Sequence, residues 1–256
     1  MRRFRLLSSL LFLLACLTVS AQGDLGSSTP EAMSHLRQAR MLTAAGDLDG
    51  AIAACRAALA ADPRYTEARL QLASAFRSRN QLDSAISQYR RALDLYPRNI
   101  DAHQYLASAY LLQGDHASAI GQYKELLRHY PDYPEAYLGL AQVYFSQEDY
   151  REAVRYSESA MRLYLARELD ENAASARMLA GQAYLALGDA DRALAYFKAS
   201  KRHYEGMAFY DYYLGLAYLD LGNREKSSEY LSSAAQKGYK LPPYIQERLD
   251  RLINGN

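Results

Sequence analysis

No tryptophan occurs in the chain, and cysteine occurs only at positions 16 and 55. So little cysteine excludes a small fold stapled by disulfides. Proline and glycine are also sparse, 7 and 14 in 256 residues, too few for a sheet-rich chain with a turn about every ten residues. Neither sign of charge prevails: 30 Lys and Arg stand against 29 Asp and Glu, a net charge of +1. That excludes a broadly basic protein that holds nucleic acid through its overall field, so no nucleic-acid partner is expected. Beyond residue 19 no apolar run approaches the about 20 residues of a membrane-spanning helix, and no integral span is expected in the mature chain. What is plentiful is apolar and aromatic content, 50% hydrophobic residues with 23 tyrosines. This suffices for the core of one or two domains and leans towards helix.

The first residues have the pattern of export. Arg2, Arg3 and Arg5 precede an uncharged apolar run over 6–19, which meets the small residues Ser20 and Ala21. A basic start, an apolar middle and a small-residue cleavage site make residues 1–21 a secretory signal peptide, followed by a polar tether over 22–29. The bland alternative is an uncleaved N-terminal anchor, which lacks a stop-transfer flank. A further reading falls on Leu13, Leu14, Ala15 and Cys16, which resemble a bacterial lipobox in which Cys16 is lipidated. Leu14 is larger than that motif usually holds, and apolar residues continue past the cysteine. Both a soluble periplasmic protein and an outer-membrane lipoprotein stay open on these residues, as does an extracellular one. Cleavage after Ala21 removes three of the 30 basic residues and no acidic one, leaving a net charge of −2. It leaves Cys55 as the one thiol, unable to close an intramolecular disulfide.

The body of the chain repeats. Ala51, Ala85, Ala119 and Ala153 follow at steps of 34, then Ala193 after 40 and Ser227 after another 34. Numbering each repeat from residues 32, 66, 100, 134, 174 and 208 puts these residues at position 20. Position 8 then holds Ala39, Ala73, Ala107, Ala141, Gly181 and Gly215, all small. Position 11 holds Leu42, Phe76, Tyr110, Tyr144, Tyr184 and Tyr218, all large. Positions 8 and 11 share one face of a first helix, and positions 20, 24 and 27 one face of a second. Small residues there let helices approach closely, while the large residue fills the space beside them. Gly46, Asn80, Gly114, Glu148, Gly188 and Gly222 fall between the two helices, where a left-handed residue is required; Glu148 suits it least. Cys55 stands at position 24, a core column. The six extra residues between the fourth and fifth repeats lie around 165–174 and predict a lengthened second helix followed by a loop.

A 34-residue period with these columns resembles the tetratricopeptide repeat family. The resemblance implies an all-α fold, a right-handed α-solenoid of six helix pairs spanning 30–237. Its repeats would occupy 32–65, 66–99, 100–133, 134–167, 174–207 and 208–241. A C-terminal capping helix over 242–253 would cover the last apolar face with Ile245, Leu249 and Leu252. The resemblance also implies that first-helix positions 2, 5, 9, 12 and 13 line an inner groove. Carried onto this chain, the partner-binding candidates are Arg40, Leu70, Arg77, Gln104, Leu111, Leu138, Gln142, Phe145, Met178, Gln182, Phe209, Tyr212, Leu216 and Leu219. The Lys and Asn clamp by which chaperone-binding members grip an acidic C-terminal tail is absent: Leu36 and Arg40, Leu70 and Ser74, then Glu135 and Gly139 stand in its places. Phe209, Tyr212, Leu216 and Leu219 recur at helical spacing and are expected to form an apolar stripe towards a partner, or else to be covered by the chain's own residues 239–244.

Chemistry is not signalled. The histidines at 35, 103, 116, 129 and 203 show no metal-ligand spacing, no nucleotide-loop or hydrolase motif occurs, and the repeats leave no room for a catalytic domain. We therefore expect no metal, no cofactor and no enzyme. The leading reading is a scaffold that binds a protein or peptide segment in the groove. The alternative is a structural or assembly subunit of an envelope complex, and homo-oligomerisation is open under either. The leader generates a direct test by intact mass of the protein from its native envelope. A chain beginning at Gln22 is expected for a soluble product, an acylated start at Cys16 for an anchored one; an unprocessed Met1 in the cytosol would defeat both.

Overall fold

The computed structural model describes residues 29–254, all the secondary structure of which is helical. The signal peptide over 1–21, the lipidation candidate Cys16 and nearly all of the tether lie outside the described residues. Six helix pairs follow in order: α1 (Pro30–Ala44) with α2 (Leu48–Ala61), α3 (Thr66–Ser78) with α4 (Leu82–Leu95), α5 (Ile100–Gln113) with α6 (His116–His129), α7 (Pro134–Ser146) with α8 (Tyr150–Ala166), α9 (Asp170–Ala186) with α10 (Ala190–Ala199), and α12 (Ala208–Asp220) with α13 (Arg224–Gln236). The single turn α11 (Lys201–Tyr204) continues α10, and α14 (Pro243–Asn254) ends the array. The fold is an all-α solenoid.

Each pair closes through the same local chemistry. The residue two places before the second helix has positive φ in all six: 81° at Gly46, 58° at Asn80, 82° at Gly114, 64° at Glu148, 79° at Gly188 and 73° at Gly222. The geometry is thus kept where glycine is not, and Glu148 bears a Cβ clash worth about 1 kcal/mol. Immediately after it, Asp47, Asp115, Asp149, Asp189 and Asn223 each accept a hydrogen bond from the backbone N–H three residues on, at 2.9–3.2 Å. These caps satisfy donors that a helix start otherwise leaves unpaired.

The core columns close up as their residue sizes require. Position 24 is buried in every repeat, from Cys55, Tyr89 and Tyr123 to Ser157, Phe197 and Leu231. Two of these side chains fill the space over a glycine at position 8 of their own repeat: a Cβ at Gly181 would stand 2.4 Å from the Phe197 ring, and one at Gly215 2.7 Å from Leu231. On the outer face, a cation at position 25 lies over the position-11 ring of the next repeat. Arg56 sits 5.9 Å from Phe76, Arg90 5.7 Å from Tyr110 and Lys198 5.7 Å from Tyr218. At the fourth junction Glu158 replaces the cation and instead accepts the hydroxyls of Tyr184 at 3.0 Å and Tyr196 at 2.6 Å.

Between repeats four and five the expected loop is not there. Both helices lengthen, α8 and α9 to 17 residues each, and only Arg167, Glu168 and Leu169 separate them. Glu168 makes the turn at φ 59°. The first helix of repeat five therefore begins at Asp170, four residues ahead of the start that the columns suggested. Tyr164 is the physical reason: it is 1% exposed and packs with Ala160, Ala173 and Ala176, so added turns bury more apolar surface than a loop would.

Substitutions at two glycines separate packing from helix propensity. Gly181→Ala forces a methyl into Phe197 and should destabilise by about 1–3 kcal/mol. Gly121→Ala, on an exposed helical surface with nothing within 4 Å of the added Cβ, should stabilise by about 0.5–1 kcal/mol. Urea midpoints measure both, and a midpoint for Gly181→Ala at or above the wild type contradicts the packing.

Candidate functional site

The helix contacts show which layer is the inner one. Successive first helices touch directly, α1 with α3, α3 with α5, α5 with α7, α7 with α9 and α9 with α12, while second helices approach one another less closely. The first helices thus line the shorter, concave side, and residues facing away from their partners on that side form the candidate groove.

At its N-terminal end Arg40 is exposed and forms an ion pair with Glu67 of the next repeat. Leu70 is half-buried against the main core. Arg77 is half-buried, with its guanidinium 5.9 Å from the Tyr105 ring centroid and 3.4 Å from the Ser108 hydroxyl. Gln104 and Leu111 are half-buried, and Leu112 beside them is 60% exposed. In repeat four Leu138 packs beside Tyr137, Met161 and Tyr164, Gln142 is half-buried, and Phe145 meets Tyr150 edge-on at 5.3 Å. Gln182 is half-buried in repeat five.

The remaining candidates do not share this open surface. Met178 is 4% exposed and belongs to the core around Phe197. Phe209 is half-buried, edge-on to Tyr204 at 5.3 Å. The expected open stripe is corrected at Tyr212, Leu216 and Leu219. Tyr212 is 3% exposed and stacks on Tyr239 at 4.5 Å, while Leu216 and Leu219 pack in the same cluster as Ile245, Leu249, Leu241 and Tyr244. The segment after α13 and the helix α14 cover them, because an apolar solenoid end without a cap is costly to expose.

The groove is also more acidic than its candidate residues suggested. Glu67, Asp101 and Glu135 stand at position 2 of three consecutive repeats, in the first turns of α3, α5 and α7. Desolvation, together with the charge of Glu67, holds the Asp101 carboxyl above the usual carboxylate range, and burial does the same for Glu135. These acids, like Leu112, occupy positions 2 and 13 of the register, which is the signal that could have found them. Away from the groove, burial pushes the Cys55 thiol up to about 11, so it is protonated at neutral pH and inert. Asp211, 5% exposed, accepts from Ser233 Oγ at 2.6 Å and Lys237 Nζ at 2.5 Å, which ties α12 to α13. Among the described residues no group of three or more His, Cys, Asp or Glu could hold a metal ion, and no helix is long and apolar enough to cross a membrane.

Removal of the Tyr212 ring tests the covered end. Tyr212→Ala should cost about 3–5 kcal/mol, as for other buried aromatics, and calorimetry should show the loss as a markedly lower melting temperature. An unchanged melting temperature would return the stripe to the open groove.

A tetratricopeptide repeat model matches residues 70–134 and 138–208, and a second one matches 42–87 and 110–161. The chain is similar in structure to PilW, described as a widely conserved type IV pilus biogenesis factor, with TM-score 0.71 and 20% identity over 86% of this chain and 99% of that one. It is similar to MamA, with TM-score 0.57 and 25% identity over 70% of this chain and 95% of that one. It is also similar to YrrB, described as a tetratricopeptide repeat protein with an unusual peptide-binding site, with TM-score 0.58 and 23% identity over 77% of this chain and 97% of that one. Comparison with curated proteins gives no match. The chain belongs to the tetratricopeptide repeat family, whose members in general are non-enzymatic scaffolds that bind protein partners.

Proposed function

We propose that this protein is a non-enzymatic scaffold, exported to the periplasm, that holds an extended segment or helix of a protein partner in the groove of its first helices. One observation carries the reading. Over repeats two to five the chain leaves a continuous row of half-buried and exposed residues, Leu70, Gln104, Leu111, Leu112, Gln142 and Gln182, whereas it covers the apolar end of repeat six with its own cap. A mixture of amide and apolar side chains suits a peptide, because the amides can donate to and accept from its backbone while the apolar residues receive its side chains. YrrB, a similar solenoid, is described as having a peptide-binding site.

A second reading makes the protein a structural or assembly subunit of an envelope complex, soluble or lipidated at Cys16. It is supported by the export pattern of residues 1–21 and by the likeness in fold to PilW, a pilus biogenesis factor, across almost all of that chain. A defined complex or self-association of the purified protein, measured by light scattering, favours this reading.

Crosslinked capture from the native envelope tests the groove. Leu112→Asp and Gln142→Arg alter its open surface without touching a fully buried residue. Each is expected to reduce the recovered partner at least tenfold at a melting temperature changed by no more than about 2 °C, since an unpaired charge in an interface costs more than the about 1.4 kcal/mol that a tenfold loss requires. Undiminished recovery with both variants would mean that the partner sits elsewhere.

A further inference from the structure

Three arginines of the first helices are half-buried, and they differ in what they hold. Arg177 pairs with Asp170 at 3.2 Å. Arg69 donates to the Pro63 carbonyl at 2.6 Å and to Gln88 at 3.2 Å. Arg77 has no acid. Its guanidinium meets the Tyr105 ring at 5.9 Å and the Ser108 hydroxyl at 3.4 Å, with the Tyr89 hydroxyl beside it. The contact with Ser108 is longer than the about 3.2 Å of an ordinary N–H···O bond, and Arg77 forms no ion pair among the described residues. A guanidinium drawn partly out of water, with most of its five donors unused, calls for an acceptor.

The surroundings of Arg77 leave room for one. Position 9 holds Ser74 and Ser108 on the two helices that flank it, where the other repeats hold Arg40, Gln142, Gln182 and Leu216. Two short hydroxyl side chains open the groove floor at this point and add donors of their own. Position 12, which Arg77 occupies, continues as Leu111, Phe145, Leu185 and Leu219, all half-buried. One edge of the groove thus runs from a cation set among hydroxyls to a row of apolar side chains.

We propose that the groove of repeats two to four takes an extended protein segment with one acidic side chain seated on Arg77 between Ser74 and Ser108, and with apolar side chains on Leu111 and Phe145. The inference rests on the groove reading above and names the chemistry of its partner. A carboxylate accepts two parallel bonds from the guanidinium fork, which the Tyr105 ring keeps from turning away. The site is not the clamp for acidic C-terminal tails, whose places hold no such cation here. Arg77 stands at position 12, and a side-chain carboxylate leaves the segment free to continue in both directions. Asp101 stands one turn before Tyr105 on α5 and repels an acid placed towards that end, which fixes the direction of the segment. Helices in contact lie about 8–10 Å apart, and an extended strand rises about 3.3 Å per residue, so acid and apolar residues follow at steps of about three.

Fluorescence anisotropy with three labelled peptides of equal length and amidated C-termini provides the test, at about 50 mM salt to limit screening. One carries Glu-x-x-Leu-x-x-Phe among Ala and Ser, one has Gln in place of Glu, and one has Lys. The Glu peptide should bind about tenfold or more tighter than the Gln peptide, the range of charge-assisted hydrogen bonds. Arg77→Gln should abolish that preference, and Arg77→Lys, which keeps the charge without the fork, should reduce it to about threefold. Arg40→Gln, whose guanidinium Glu67 already engages, should leave the preference unchanged. Melting temperatures check that the variants fold, and where Arg77→Gln does not, Arg77→Lys decides. Equal or tighter binding of the Gln or Lys peptide, or a Glu preference that survives both Arg77 variants undiminished, overturns the inference and leaves the groove reading standing. If none of the three binds, the inference fails; the groove reading falls with it only if partner capture is also undiminished by Leu112→Asp.

Discussion

The structure depends on one contact, the close approach of the two helices of a repeat where a small residue at position 8 meets position 24. Ala39, Ala73, Ala107 and Ala141 are wholly buried, and Gly181 and Gly215 replace alanine where Phe197 and Leu231 lie within 3 Å of an added Cβ. Backbones drawn together in this way leave the other faces free for neighbours, so one pair can stack on the next. The left-handed turn residue and the Asp or Asn cap belong to the same constraint, because they set the angle at which the second helix returns. Glu148 and Asn80 hold that turn without glycine, which shows that packing imposes the conformation on the residue.

Stacking produces the groove. First helices touch along the inner side and second helices spread on the outer one, where the cations over position-11 rings join consecutive repeats. The inner surface then changes character along its length. It begins with the Arg40–Glu67 pair, passes to Asp101 and to Glu135, which is hydrogen-bonded with Tyr164, then to the neutral residues Gln142 and Ser175, and ends at the covered apolar residues of repeat six. A repeated scaffold with a graded lining can fix both the direction and the register of an extended partner, which identical repeats could not do.

Departures from strict repetition serve the same energetics. The six extra residues between repeats four and five extend α8 and α9 because Tyr164 has apolar neighbours to pack against. Ser157, at a position elsewhere held mostly by large residues, is buried with its hydroxyl unbonded. The cap α14 uses Ile245 and Leu249 inward and Gln246, Glu247, Arg248 and Asp250 outward, which ends the apolar stack in a solvated face.

The sequence by itself determined the helix pairs, their register and their turns. The columns at positions 8, 11, 20, 24 and 27 are local patterns repeated at a constant step, and a pattern of that kind can be read without knowing any contact. It also placed Arg40, Arg77 and Gln142 on one face of their helices. Tertiary structure alone decided which of those faces stays open. Tyr212, Leu216 and Leu219 have the spacing of a binding stripe, but the residues after α13 fold over them, and no periodicity within α12 records what a segment some 30 residues later will do. In the same way Glu67 and Asp101 look alike in the repeat, and only the stacking of neighbouring helices brings Arg40 to Glu67 as an ion pair.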